Sequence, residues 1–172
     1  MLVFGSAKQD NICLNGKIIL GDEYMNQERL FGLREYNDLF QKDIAAKIGV
    51  SQQTYSTWEK GTKIIPLKHL NSLCNYYNVS MDYVLNLSNT KITSDIVKVD
   101  TLNKKLIGQR IKLIREKHKL TLRDLADELN TTSSTVSAYE TGKTLILTAF
   151  VYQICKKYKI SIDWLCGRIM EK

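Results

Sequence analysis

The sequence predicts an all-α protein built from two tandem copies of one five-helix unit. Three observations lead to this prediction. The chain matches itself without gaps when it is shifted by 81 positions. Each matching half contains short stretches of helical periodicity separated by Gly, Asn or Ser. Neither half contains long β-branched runs, which a sheet would favour.

The repeat extends from Arg29 to Cys166, and its clearest match pairs residues 79–83 with residues 160–164. A constant offset over this length indicates an internal duplication. We therefore divide the chain into an N-terminal extension (1–26), a first unit (27–87), a linker (88–103) and a second unit (104–172). Each unit has about sixty residues, which is close to the lower limit for a domain that folds alone.

The first unit is predicted to contain five helices, over residues 29–38, 41–48, 52–60, 66–77 and 81–85. Ser51 and Ser80 are good N-caps for the third and fifth helices. Pro66 opens the fourth helix at the position where proline is favoured. Gly49 ends the second helix because glycine adopts a positive φ freely. In the second unit Asn130 replaces Gly49, and the turn is expected to survive because Asn also tolerates the left-handed conformation.

Residues 41–61 place a short helix, a Gly turn and another short helix in succession. This segment resembles the helix-turn-helix of phage-repressor-type (Cro-like, XRE family) transcriptional regulators, and residues 122–142 resemble it less closely. The last helix of each unit also resembles the last helix of that family. The resemblance covers residues 29–86 and 107–167. It implies two repressor-like helix-turn-helix domains that bind double-stranded DNA, with a third helix in the major groove.

The third helix of the first unit begins with side chains that suit base recognition, since a Gln amide matches N6 and N7 of adenine. The resemblance implies base contacts from four residues on this helix, Gln52, Gln53, Ser56 and Thr57. It also implies phosphate contacts from residues at the start of the second helix and after the third, Gln41, Lys60 and Lys63.

The second unit departs from this pattern, because Leu122 stands where the first unit has Gln41. Its candidates for base contact have short side chains that discriminate bases poorly, Ser133, Ser134 and Ser137. Its candidates for phosphate contact are Arg123 and Lys143. Residues 104–172 carry fourteen basic and seven acidic residues, and the chain has a net charge of +7.

This asymmetry leads to a hypothesis in which the first unit reads sequence and the second grips phosphates or organises a dimer. The alternative is that the lysines of the second unit form only a solubilising surface. A titration in which the isolated first unit shows no sequence preference would contradict the hypothesis.

Two charged pairs recur at the repeat offset, Arg34 with Glu59 and Arg115 with Glu140. The resemblance implies that each is a partly buried structural ion pair between the first and third helices of its unit. Removal of one partner from a buried pair costs about 3–5 kcal/mol, because the other charge is left without compensation.

Two segments lie outside the repeat. Asn15-Gly16 between two apolar runs predicts a small β-hairpin, and Met25 is an alternative translation start that the intact mass of the native protein would exclude or support. The linker mixes polar residues with Ile92, Ile96 and Val99. These apolar residues are expected to pack onto one unit or to form a short strand or helix.

Several functional classes are not supported by the sequence. The four cysteines are far apart, and no spacing typical of a metal site, a catalytic set or a phosphate loop occurs. We therefore expect no enzyme activity, no metal, no cofactor and no small-molecule substrate. The longest apolar stretch is too short to span a bilayer, so no membrane association and a cytoplasmic location are expected.

The leading interpretation is a sequence-specific regulator that binds double-stranded DNA. Single recognition helices read few base pairs, so such units act in pairs on half-sites about 34 Å apart. The second unit of the same chain can complete the pair, or the chain can form a homodimer. The alternative interpretation is a protein-interaction module, such as an antitoxin or an anti-regulator, that keeps the helix-turn-helix folds as a scaffold.

Overall fold

The computed structural model describes residues 13–14, 17–20, 23–25, 27–92 and 94–169. The helices of the first unit are α1 (Arg29–Tyr36), α2 (Gln41–Lys47), α3 (Gln52–Glu59), α4 (Leu67–Tyr77) and α5 (Met81–Val84). Those of the second unit are α6 (Lys104–Lys117), α7 (Leu122–Glu128), α8 (Ser133–Glu140), α9 (Thr148–Tyr158) and α10 (Ile162–Leu165). The prediction extended the first helix to Asp38, which is wrong because Asp38 has a φ of +52°, outside the α-helical region.

The duplication is visible in the backbone. Every described residue with a positive φ has a partner 81 positions away that also has a positive φ. The pairs are Asp38 and Lys119, Gly49 and Asn130, Gly61 and Gly142, Asn78 and Lys159, and Asn86 and Gly167. Because left-handed residues set the direction in which a chain leaves a helix, both units follow the same path. The predicted equivalence of Gly49 and Asn130 is confirmed.

Short polar side chains cap the helices that the sequence assigned to them. Ser51 accepts a hydrogen bond from the backbone N–H of Thr54 at 3.1 Å, and Ser80 accepts one from Tyr83 at 2.9 Å. Pro66 was predicted to be the first residue of α4, which is wrong: its ψ of 140° is not helical, so Pro66 is the N-cap and Leu67 is the first residue of the helix. In the second unit Thr132 caps α8 in the way that Ser51 caps α3.

Apolar residues of all ten named helices form the core. Ile44 and Ala45 of α2 and the rings of Tyr55 and Trp58 on α3 are buried in this core, where the two helices are in contact. The second unit brings its first and third helices closer together, because Gly108 of α6 faces the carbonyl oxygens of Tyr139 and Glu140. A Cβ atom at position 108 would lie 2.4 Å from either oxygen.

Residues ahead of α1 form three short antiparallel strands, β1 (Cys13–Leu14), β2 (Lys17–Leu20) and β3 (Glu23–Met25). Cys13 pairs with Ile18, and Leu14 pairs with Lys17, as expected for the predicted hairpin. Its turn, residues 15–16, lies outside the described residues. The third strand was not predicted, because three residues are too few to show an alternating pattern.

The linker is packed against both units. The carbonyl oxygen of Val99 accepts hydrogen bonds from Asn71 at 2.6 Å and Asn75 at 2.9 Å, both on α4. Ile96 forms an antiparallel bridge with Ile169, which lies beyond α10. The linker therefore contacts both units rather than the single unit that was expected, and the side chain of Ile92 is exposed.

Candidate nucleic-acid interface

A buried ion pair fixes the third helix of the first unit. Arg34 Nε donates to Glu59 Oε1 at 2.7 Å, and the two side chains are 9% and 2% exposed. This hydrogen bond raises the pKa of Arg34 above its usual value. The guanidinium also donates to the carbonyl oxygen of Leu39 at 2.8 Å, so the pair ties α1 to α3 and to the entry of α2.

Gln41 extends this network to the start of α2. Its amide Nε2 donates to Glu59 Oε2 at 2.8 Å, and the side chain remains partly exposed. The amide therefore has one N–H committed to Glu59, while its second N–H and its carbonyl oxygen are available for other partners. The sequence predicted a phosphate donor here, and it did not indicate that the same side chain is positioned by the ion pair.

The predicted contact residues of the first unit converge on one surface. An open cavity of about 540 Å³ is lined by polar side chains of α2, α3 and the following turn, Gln41, Gln52, Gln53, Ser56, Thr57, Lys60 and Thr62. Gln52, Gln53 and Lys60 are exposed, and Ser56 and Thr57 are partly buried. One contiguous, mainly uncharged polar surface around a helix start can offer both donors and acceptors to a ligand.

Two residues in this region differ from the sequence-based expectation. Thr62 lines the surface but was not among the candidates, because its position depends on a hydrogen bond from its hydroxyl to the carbonyl oxygen of Thr57 at 3.0 Å. Lys63 was a candidate and is exposed, but it lines a different cavity, between the two units. Thr57 donates its hydroxyl hydrogen to the carbonyl oxygen of Thr54 at 2.7 Å, so toward a ligand this hydroxyl is an acceptor.

The second unit has the equivalent ion pair but has no equivalent of the Gln41 amide. Arg115 Nε lies 2.6 Å from Glu140 Oε1, with side chains 12% and 7% exposed. Leu122 occupies the position of Gln41 and packs partly buried against the core, so it offers no polar contact. Arg115 also donates to the carbonyl oxygen of Leu120 at 2.9 Å, which repeats the geometry of the first unit.

The start of α8 presents short hydroxyl side chains. Ser133 and Ser134 are exposed, and the Ser134 hydroxyl lies 2.8 Å from that of Thr132, the residue that caps the helix. Ser137 is partly buried. A serine side chain is shorter than a glutamine side chain, so these hydroxyls extend less far from the helix than the Gln amides of α3.

The two predicted cations of the second unit are both exposed. Arg123 is 85% exposed and lies 4.0 Å from Asp127 across one helical turn. Lys143 follows α8, and its carbonyl oxygen accepts a long hydrogen bond of 3.4 Å from Lys104. Neither cation is held by a buried partner, so both side chains can turn toward an anion.

Comparison with known proteins agrees with this geometry. Residues 33–84 match the family described as Helix-turn-helix, and residues 108–168 match the family described as Helix-turn-helix domain. The chain is 31% identical over 83 residues to the transcriptional repressor of the cryptic phage CTXphi of Vibrio cholerae, a match that covers 46% of this chain and 75% of that repressor. The chain belongs to the phage-repressor-type helix-turn-helix family.

A second relative is an uncharacterized HTH-type transcriptional regulator of Bacillus subtilis (strain 168), which is 38% identical over 61 residues. That match covers 36% of this chain and 54% of the relative, so the chain spans about half of its length. Within the helix-turn-helix family, the two matched regions of this chain correspond to its two units. The predicted tandem architecture is thereby confirmed.

The exposed surfaces of α3 and α8 lack the apolar character of a protein-docking face. Among the described residues, the exposed large hydrophobic side chains lie outside these two helices, and the one nearest to them in the first helix-turn-helix segment is Phe40, before α2. Together with the family matches and the regulator relatives, the polar surface of α3 does not favour the interpretation as a protein-interaction module.

Within the described part of the chain, no three His, Cys, Asp or Glu side chains lie close enough together to hold a metal ion. None of the described helices is long and apolar enough to cross a membrane.

Proposed function

We propose that this chain is a transcriptional regulator that binds double-stranded DNA in a sequence-specific manner. The observation that carries the proposal is the convergence of six predicted contact residues on one polar surface around the start of α3, in a chain of the phage-repressor-type helix-turn-helix family. The named relatives are a transcriptional repressor and an HTH-type transcriptional regulator, which supports the same activity here.

In this proposal α3 enters the major groove with its N-terminal end toward the bases. Gln52 and Gln53 read base edges, since each amide can pair with the donor and acceptor of an adenine. Ser56 and Thr57 contact bases or sugars nearer the middle of the helix. Gln41 and Lys60 contact phosphates on the two sides of the groove and set the register of the helix.

The second unit contributes mainly affinity. Its α8 offers the hydroxyls of Ser133 and Ser134, which accept or donate with little preference between bases. Arg123 and Lys143 neutralise phosphates, and each phosphate contact releases condensed counterions from the duplex. We therefore assign most of the sequence preference to the first unit and much of the salt dependence to the second.

The test is selection of bound duplexes from a random pool at two salt concentrations. We expect one enriched motif and a steep loss of retention at the higher salt. The variant Gln52→Ala with Gln53→Ala should lose enrichment at one half of the motif. The matched control, Ser133→Ala with Ser134→Ala, should keep that half. Absence of any enriched motif from the unmodified protein would contradict the proposed function.

A further inference from the structure

The two units meet through a reciprocal exchange of hydrogen bonds. The backbone N–H of Met81 donates to Asp163 Oδ2 at 2.8 Å, and the backbone N–H of Ile162 donates to Asp82 Oδ1 at 2.9 Å. Met81 and Ile162 are equivalent in the repeat, and so are Asp82 and Asp163. Each unit therefore caps the last helix of the other unit with the equivalent aspartate.

A reciprocal exchange of this kind defines a local two-fold relation. In a two-fold interface, residue i of one copy contacts residue j of the other, and residue j contacts residue i in return. The units α1–α5 and α6–α10 satisfy this condition with both copies on one chain. The chain is thus arranged as an internal dimer.

A second part of the interface obeys the same relation. A cavity of about 560 Å³ is lined by residues 62–68 of the first unit and residues 145–149 of the second. These segments follow α3 and α8, and they overlap when shifted by 81 positions. At the same seam the Thr148 hydroxyl donates to the carbonyl oxygen of Ile65 at 2.5 Å in a buried hydrogen bond.

The proposed DNA surface lies directly beside this seam. Thr62 lines both the polar surface around α3 and the cavity between the units. Since Lys143 is the repeat equivalent of Thr62, the two-fold relation places the corresponding surface of α8 beside the same seam. The proposed contact surfaces of α3 and α8 therefore lie on the two sides of one seam.

The exchange of caps between the units is complete within one chain. The N–H groups at the start of α5 and α10 are both paired from within the chain. A second chain could repeat this exchange only if the pairing within the first chain opened. The linker adds a covalent connection, which keeps the two units together at any protein concentration.

We infer that a single chain occupies a complete operator of two half-sites, with one protein molecule per duplex. This inference rests on the proposed function. The two half-sites of this operator form an imperfect inverted repeat. Gln52 and Gln53 face one half-site, and Ser133 and Ser134 face the other. The preferred ligand is a duplex with one strongly specified half-site and one weakly specified half-site, at a fixed spacing.

The test uses the unmodified protein and its selected duplex, with native mass spectrometry to count chains per duplex. We expect one chain of 19.8 kDa per duplex. We also expect the protein alone to sediment as a single chain. Two chains per duplex on a motif with two equally specified halves would overturn the inference and leave the proposed function intact.

A truncated duplex tests whether the second unit engages the same DNA molecule. Removal of the DNA beyond the strong half-site takes away the phosphates that Arg123 and Lys143 are proposed to neutralise. We expect the affinity of the single chain to fall at least tenfold on the truncated duplex. Unchanged affinity would mean that the second unit does not contact the same duplex and would overturn the inference. Failure to enrich any motif at all would instead remove the proposed function itself.

Discussion

Arg168 Nε lies 3.4 Å from Asp163 Oδ1, and both side chains are 1% exposed. This buried ion pair lies at the seam between the units, since Asp163 caps α5 and Arg168 also donates to the carbonyl oxygen of Val79 at 3.2 Å. The repeat equivalent of Arg168 is Leu87, so the pair exists on one side of the two-fold relation only. Asp82 and Asp163 make equivalent caps in unequal surroundings.

We predict unequal losses of stability from the two equivalent carboxylates. Asp82→Ala removes a helix cap and should lower the free energy of unfolding by about 1 kcal/mol. Asp163→Ala also removes the carboxyl group that faces the buried Arg168 guanidinium in either protonation state, so the loss should be larger, about 2–4 kcal/mol. Urea denaturation of each variant measures the difference.

A further variant separates the charge effect from loss of the cap. Combining Asp163→Ala with Arg168→Met removes the stranded charge, so much of the larger loss should be recovered. Equal losses of stability from Asp82→Ala and Asp163→Ala would show that the buried Arg168 guanidinium does not need the Asp163 carboxyl as a partner.

We predict a pH dependence of stability that originates at Asp163. Burial raises the pKa of Asp163 to about 6, Arg168 opposes the shift, and the Asp82 charge adds to it. The native state therefore binds more protons than the unfolded chain between the unfolded pKa, about 3.9, and pH 6. The neutral carboxyl of Asp163 therefore contributes stability that is fully present below about pH 4. This contribution is lost as the pH rises toward 6 and the carboxyl ionises.

The measurement is the free energy of unfolding of the wild type minus that of Asp163→Asn, taken from pH 4 to pH 7. We expect this difference to fall as the pH rises. Asp82→Asn removes a charge that raises the pKa of Asp163, so in that background the fall should move to lower pH. A difference that does not vary with pH would contradict the prediction.

We predict opposite effects from one substitution at two helical glycines. A Cβ atom on Gly108 would meet the carbonyl oxygens of Tyr139 and Glu140 at 2.4 Å, so Gly108→Ala must push α6 away from α8. The expected loss of stability is about 3 kcal/mol. A Cβ atom on Gly32 would meet nothing within 4 Å. Gly32→Ala should therefore stabilise α1 by about 1 kcal/mol through helix propensity alone.

Thermal and urea denaturation of these two variants give the comparison. Because α8 is the proposed second recognition helix, Gly108→Ala should also weaken DNA binding, and Gly32→Ala should leave it unchanged. If both variants gained stability, α6 and α8 would not be in direct contact at this point.

We predict that Gln41 acts both on Glu59 and on DNA. Gln41→Leu reproduces the residue of the second unit, and loss of the 2.8 Å hydrogen bond to Glu59 should cost about 1 kcal/mol of stability. The variant should also weaken binding to duplexes of all sequences to a similar degree, since a phosphate contact carries no base preference.

The reverse change in the second unit, Leu122→Gln, tests separately whether an amide at this position contacts DNA. It adds an amide at the start of α7 and should strengthen binding to a duplex of random sequence. If Gln41→Leu altered stability alone and Leu122→Gln left binding unchanged, Gln41 would serve only to hold Glu59.

The amino-acid sequence by itself determined the features that depend on local interactions or on the repeat. Helix bounds follow from periodicity, from caps such as Ser51 and from left-handed residues such as Gly49, which all act within one or two turns. The all-α class and the duplicated unit follow from the offset of 81 positions. The two Arg–Glu pairs came from the resemblance, and their geometry in the structure matches it.

Only the tertiary structure decided how the two units face each other. Asp82 and Asp163 look in the sequence like ordinary acidic residues in the first turn of a helix, and Arg168 looks like one more surface cation. Their roles depend on which faces pack together across about eighty residues of chain. Periodicity reports that a face is buried, but it carries no information about the surface that buries it.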